Sequence, residues 1–160
     1  MKRKKISDIL ILGIGNVLMG DEGIGAFIAQ FLEKQKLPPG VTVLDGGTGG
    51  FHLLETFQNA DCVILIDATI NGQPPASWER LQPRYSSDYP PTLTAHDIGL
   101  KDMLDAAQLL GKMPKVVLYA ISIDSINSVK FGLSPELEAI IPVIGGEVLN
   151  EVHDLLGAPV

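Results

Sequence analysis

The apolar run Ile9-Leu10-Ile11-Leu12 feeds directly into Gly13-Ile14-Gly15-Asn16, and then into Asp21-Glu22-Gly23-Ile24-Gly25. That order leaves few ways to fold. A run of Ile and Leu without polar alternation reads as a strand covered on both faces. From Ile24 onward the apolar residues fall at helical spacing, with Ile24, Phe27, Ile28 and Phe31 on one stripe. A buried strand that turns through glycines into an amphipathic helix is the first half of a β-α-β unit. This one carries two adjacent carboxylates, Asp21 and Glu22, in the turn.

The same alternation continues. Val41 to Leu44 reads as a second strand, closed by Asp45-Gly46-Gly47-Thr48-Gly49-Gly50, and a helix over 51–59 should bury Phe51, Leu54 and Phe57. Cys62 to Ala68 is a third, wholly apolar strand except for Asp67 near its end. The stretch 70–94 is irregular and rich in Pro, Ser and Tyr, with room for a short edge strand at Trp78 to Leu81. A helix over 98–110 places Leu100, Met103, Leu104 and Ala107 on one face and stops at Gly111, and Val116 to Ile123 is another buried strand.

Ser134-Pro135 opens the last helix, an N-cap residue followed by proline at its favoured first position. Leu137, Ile140, Ile141, Ile144, Val148, Val152 and Leu155 hold its period, while Pro142 should kink it and Gly145-Gly146 loosen it.

Strands alternating with helices specify an α/β fold: a single-domain, doubly wound, mostly parallel twisted sheet with helices on both faces. Strand one then lies between strands two and three. The domain is expected over 8–160, after a basic flexible tail at 1–7. The formal charge of −7 includes the cations Lys2, Arg3, Lys4 and Lys5, so the body is four units more acidic than the whole. Such a body is a poor nucleic-acid partner, because phosphate contacts need clustered Lys and Arg.

The tail does not read as a secretory signal, since the apolar segment after it is too short. No apolar run approaches membrane-spanning length. The single cysteine, Cys62, cannot form an intrachain disulfide. These features lead to the expectation of a soluble cytoplasmic protein.

In a doubly wound sheet, ligands bind beyond the carboxyl ends of the strands, where the winding reverses. Here that is the crevice between strands one and three. Asp21 and Glu22 follow strand one, Asp67 ends strand three, Asp45 ends strand two, and His96 lies on the approach to the third helix. Several carboxylates with one imidazole suit a divalent metal.

Each residue also has a plain structural alternative. Asp21 serves as well as an N-cap with Glu22 in the first helical turn, and Asp67 as a turn residue. Asp45 leans structural in its Asp-Gly-Gly context. His96 alone reads as a surface or helix-entry residue, and His52 and His153 carry no signal of their own.

Rival chemistries are weaker. Leu18 stands where a dinucleotide fingerprint needs its third glycine, and Asp21 and Glu22 would repel a pyrophosphate. No lysine follows the glycines as a phosphate loop requires. No Gly-x-Ser-x-Gly occurs. Cys62 begins its strand, away from the rim. A metal-binding or carboxylate-dependent site is left.

Gly13-Ile14-Gly15-Asn16, Asp21-Glu22-Gly23-Ile24-Gly25, Asp45-Gly46-Gly47-Thr48, Ile66-Asp67-Ala68 and His96 ahead of Leu100 together resemble the hydrogenase maturation endopeptidase family, in order from about Ile9 to Leu156. The resemblance implies an aspartyl-type peptidase. Its activity would be to remove the C-terminal extension from the large-subunit precursor of a nickel-iron hydrogenase after nickel insertion. It also implies that Glu22, Asp67 and His96 contact the nickel, which the precursor supplies rather than the protease, with Asp21 beside the first ligand and Asp45 in the glycine-rich turn.

Asp21, Glu22, Asp67 and His96 are then the expected catalytic set, and Asp21 or Asp45 the acids that assist proton transfer. The expected partner is the hydrogenase large-subunit precursor, met by a monomer, with no nucleic acid or membrane. A non-enzymatic nickel-dependent maturation chaperone would use the same residues. A small-molecule hydrolase or nucleotide binder would share only the fold.

Overall fold

A computed structural model of the chain describes residues 5–48, 50–90, 98–124 and 131–157. Among these residues nine regular elements occur: β1 (Ile9–Gly13), α1 (Ile24–Glu33), β2 (Val41–Asp45), α2 (Leu54–Asn59), β3 (Cys62–Thr69), β4 (Trp78–Leu81), α3 (Ile98–Leu109), β5 (Lys115–Ser122) and α4 (Pro135–Leu156). Short 3-10 turns precede α1 (Gly20–Gly23) and α2 (Phe51–Leu53), and a third follows β4 (Ser86–Asp88).

The five strands form one sheet in the order β2-β1-β3-β5-β4, parallel except for β4, which runs antiparallel along β5. β1 lies between β2 and β3, the reversal of winding expected from the strand and helix order. Trp78–Leu81 takes the outer edge next to Pro83, where a missing donor costs nothing.

Alternation along the strands separates two cores. Ile9, Ile11, Ile64, Ile66, Val117 and Tyr119 point to the layer that receives Ile24, Ile28 and Leu32 of α1 and Leu137, Ile144 and Val148 of α4. Leu10, Leu12, Val63, Leu65, Val116 and Leu118 point to the opposite layer, with Phe57 of α2 and Leu100, Met103, Leu104 and Ala107 of α3. β1 and β3 are buried along their whole length, which is why their sequences lack alternation.

Several local expectations shift. In the 51–59 helix Leu53 is buried and Leu54 only half so, because the segment enters through a 3-10 turn that rotates the buried stripe by one residue. The side chain of Phe51 lies outside the description. Pro142 and Gly145-Gly146 sit inside one continuous helix. Gly145 serves close packing there, since a Cβ would lie 2.5 Å from Cε1 of Phe31.

The chain is also held earlier than the expected tail boundary. Ile6 packs on the core, and the Ser7 N–H, the Ser7 hydroxyl and the Asp8 N–H all donate to Oδ2 of Asp61. Those bonds tie the start of β1 to the start of β3. At the far edge, Arg80 of β4 pairs with the nearly buried Glu151 of α4. Trp78 stacks at a tilt on Tyr119, with ring centroids 5.9 Å apart.

Candidate active site

β1 ends at Gly13, whose register partner in β3 is Ile66, so Asp67 lies one residue past the last β1–β3 pair. The Ile14 N–H donates to the Ile66 carbonyl at 2.9 Å, and the chain then lifts away from the sheet. It returns through the Gly20–Gly23 turn, which packs against β3. Two glycines make this return possible. A Cβ on Gly25 would fall 2.2 Å from the Ile14 carbonyl oxygen and 2.4 Å from that of Ile66, and one on Gly15 would fall 2.5 Å from the Glu22 carbonyl oxygen. Backbone meets backbone at both points, so no larger residue fits and the acid turn is pressed onto the strand ends.

Glu22 is 3% exposed and Asp67 fully buried. Burying a carboxylate costs on the order of several kcal/mol unless polar groups engage it. Asp67 Oδ1 accepts the Ala68 N–H at 2.8 Å. By the alternation of β3, Asp67 shares the face of Val63 and Leu65, the face covered by α3.

Asp21 is engaged elsewhere. The Ser134 N–H donates to its Oδ1 at 2.7 Å, and the Ser134 hydroxyl donates to its Oδ2 at 2.8 Å. The simple N-cap role considered for it is not what the structure contains, because α1 is capped by Gly23 without a side-chain bond. Asp45 takes the structural part that its sequence context suggests. Its Oδ1 accepts the Gly47 N–H at 3.0 Å and its Oδ2 accepts from Gln30 Nε2 at 3.4 Å. The Gly47 carbonyl in turn accepts the Gly15 N–H at 2.7 Å, so Asp45 steadies the loop after β1 from the side.

His96 lies outside the described residues. Among the described residues no three His, Cys, Asp or Glu side chains are grouped to hold a metal ion. A three-ligand site at this rim would thus require a donor beyond those described. His52 and His153 are exposed, the latter in the last turn of α4. Cys62 is buried at the start of β3, the end of the strand away from the rim, and burial pushes its thiol pKa up to about 11. It is unsuited to act as a nucleophile.

The residue that sequence reasoning missed is Ser134. Ser-Pro marks it as an N-cap, yet it makes no side-chain cap bond and its hydroxyl goes to an acid 113 positions away. Nothing in local sequence carries that signal.

Fold and site together define a doubly wound α/β protein with buried carboxylates at its topological switch point. The chain belongs to the hydrogenase maturation protease family, whose model (HycI: Hydrogenase maturation protease) matches residues 27–151, and it is a peptidase of that class. The chain is 35% identical over 149 residues to the Hydrogenase 2 maturation protease of Escherichia coli strain K12, covering 91% of each protein. It is 37% identical over 116 residues to the hydrogenase expression/formation protein HupM of Azotobacter chroococcum, covering 69% of this chain and 54% of that relative, so it spans about half of HupM. The solved hydrogenase maturating endopeptidase HybD from E. coli superposes with a TM-score of 0.83 at 34% identity, over 92% of this chain and 93% of that one. No helix among the described residues is long and apolar enough to cross a membrane.

Proposed function

We propose that this chain is an endopeptidase that removes the C-terminal extension of a nickel-loaded hydrogenase large-subunit precursor, acting as a cytoplasmic monomer. The observation that supports this reading is that two carboxylates are buried beside the strands between which the sheet reverses its winding, Glu22 in the turn that follows β1 and Asp67 in β3 one residue past its last pair with β1. Membership of the maturation protease family supports the substrate class.

Glu22, Asp67 and His96 are the residues that would bind the precursor's nickel. Two carboxylates and one imidazole leave coordination positions open for the ligands the substrate already provides. Recognition then depends on the metal being present, since without it the precursor offers the site nothing for those three groups to hold. Bound nickel supplies electrophilic polarisation of nearby oxygens.

The chain's own part is to hold the scissile peptide at the rim and to move a proton. Hydrolysis adds water to the carbonyl carbon, breaks the C–N bond and delivers a proton to the departing amine. Asp21, adjacent to Glu22, is the acid assigned to that proton transfer.

The test is to mix the protein with nickel-loaded and nickel-free precursor and follow the precursor by mass spectrometry. Loss of a C-terminal peptide only from the nickel-loaded form is the expected result. Tight binding without cleavage would replace this reading with that of a nickel-dependent chaperone.

A further inference from the structure

We infer that Ser134 is a positioning residue of the active site: it fixes the Asp21 carboxylate through two hydrogen bonds and thereby sets the turn that presents Glu22. The inference rests on the peptidase reading and adds to it a residue from the opposite end of the chain.

The geometry begins with Pro135. A residue that precedes proline is driven out of the helical region, and Ser134 has φ −62° and ψ 156°. In that extended conformation the Ser134 N–H lies outside the helix, although the Ser134 carbonyl already accepts the first helical bond, from Glu138, at 2.9 Å. A serine at this position ordinarily turns its hydroxyl onto the helix's own free N–H groups. Here it does not, and no side-chain cap bond forms. Both donors of Ser134 go to one carboxylate instead, the N–H to Oδ1 at 2.7 Å and the hydroxyl to Oδ2 at 2.8 Å.

A carboxylate gripped at both oxygens has its plane and rotation set. Asp21 is one residue from Glu22 within a four-residue 3-10 turn. That turn is braced on its other side by the close approach of Gly15 to the Glu22 backbone. Ser134 is the grip from the α4 side, and α4 is itself seated on α1 and the sheet through Leu137, Ile140 and Ile144. The long helix is therefore the reference against which the acid turn is placed. The contact is also specific in its chemistry. Alanine at position 134 would keep the backbone N–H bond and lose only the hydroxyl bond, whereas threonine would keep both.

The experiment compares wild type, Ser134→Ala and Ser134→Thr in three measurements: single-turnover processing of nickel-loaded precursor, thermal melting, and amide hydrogen exchange. Ser134→Ala is expected to lower the cleavage rate about tenfold or more at saturating precursor, as misplacement of a reacting group does, with little change in KM. Its melting temperature should stay near that of wild type, and exchange should rise at Gly20–Gly23 while the α4 interior around Ile144 stays protected. Ser134→Thr should restore both rate and protection.

Unchanged cleavage and unchanged exchange in Ser134→Ala would overturn the inference. So would a rate loss that Thr fails to rescue and that tracks a general loss of stability. If wild type itself leaves nickel-loaded precursor uncut, the peptidase reading fails, and the exchange pattern at Gly20–Gly23 still decides whether Ser134 holds the turn.

Discussion

Asp21 and Ser134, 113 positions apart, are joined by two hydrogen bonds that tie the turn after β1 to the residue that opens α4. The tie makes the acid turn part of the helix layer as well as part of the sheet. It also separates two effects that substitutions at Asp21 would otherwise confuse.

Asp21→Ala removes both acceptors and should lower stability by about 1–2 kcal/mol, the scale of two partly exposed hydrogen bonds. Asp21→Asn keeps the shape, and its amide can still accept from the Ser134 N–H, so its stability should stay within ~0.5 kcal/mol of wild type. Both variants should lose processing if the carboxylate carries the proton. Urea denaturation set beside the precursor assay checks this, and an active Asp21→Asn enzyme would remove Asp21 from the chemistry.

Glu22→Gln, Asp67→Asn and His96→Ala address the proposed nickel contacts. Each should reduce processing at least about a hundredfold, as expected for loss of a group that engages the reacting centre. Thermal melts of the first two should move little, because the amides are isosteric with the carboxylates they replace. A variant that unfolds marks its residue as structural. Equilibrium binding of nickel-loaded precursor should weaken in all three.

The backbone approach at the rim predicts a sharp contrast between two glycines. Gly25→Ala sets a methyl against two carbonyl oxygens that cannot move without displacing β1 and β3, so it should cost about 3 kcal/mol or more. Gly146→Ala meets nothing within 4 Å inside α4 and should stabilise by about 0.5–1 kcal/mol. Chemical denaturation of the two proteins measures both.

Alkaline pH should weaken the fold through Cys62. Burial raises its thiol pKa from 9.0 to about 11, so the neutral form is favoured in the folded state. The stabilisation is complete below pH 9, where the thiol is neutral in both states. It declines as pH rises toward 11, because the unfolded chain ionises first. Tyr119, pushed up to about 12 chiefly by its burial, continues the decline at higher pH. Cys62→Ala should flatten the fall between pH 9 and 11 by at most about 2 kcal/mol. An identical pH profile in wild type and variant, measured by denaturant midpoint, would show that burial does not hold the thiol neutral.

Much of the molecule was readable from the order of its residues. Strands without alternation, Ile9 to Leu12 and Cys62 to Ile66, declared a sheet covered on both sides, because only such a sheet buries every side chain of a strand. The helical spacing of Leu100, Met103, Leu104 and Ala107 named the buried face of α3 outright. The chain order of strands and helices then placed Asp21, Glu22 and Asp67 at one rim, since right-handed crossovers leave a single switch point.

What local pattern could not carry was the use to which each polar group is put. Asp21 and Asp45 look alike in sequence, each an acid among glycines. One reaches across to the N-terminus of α4, and the other closes a turn onto Gly47. Hydrogen-bond partners at such separations are chosen by the packing of α4 on α1 and the sheet, and that packing exists only once the chain has folded.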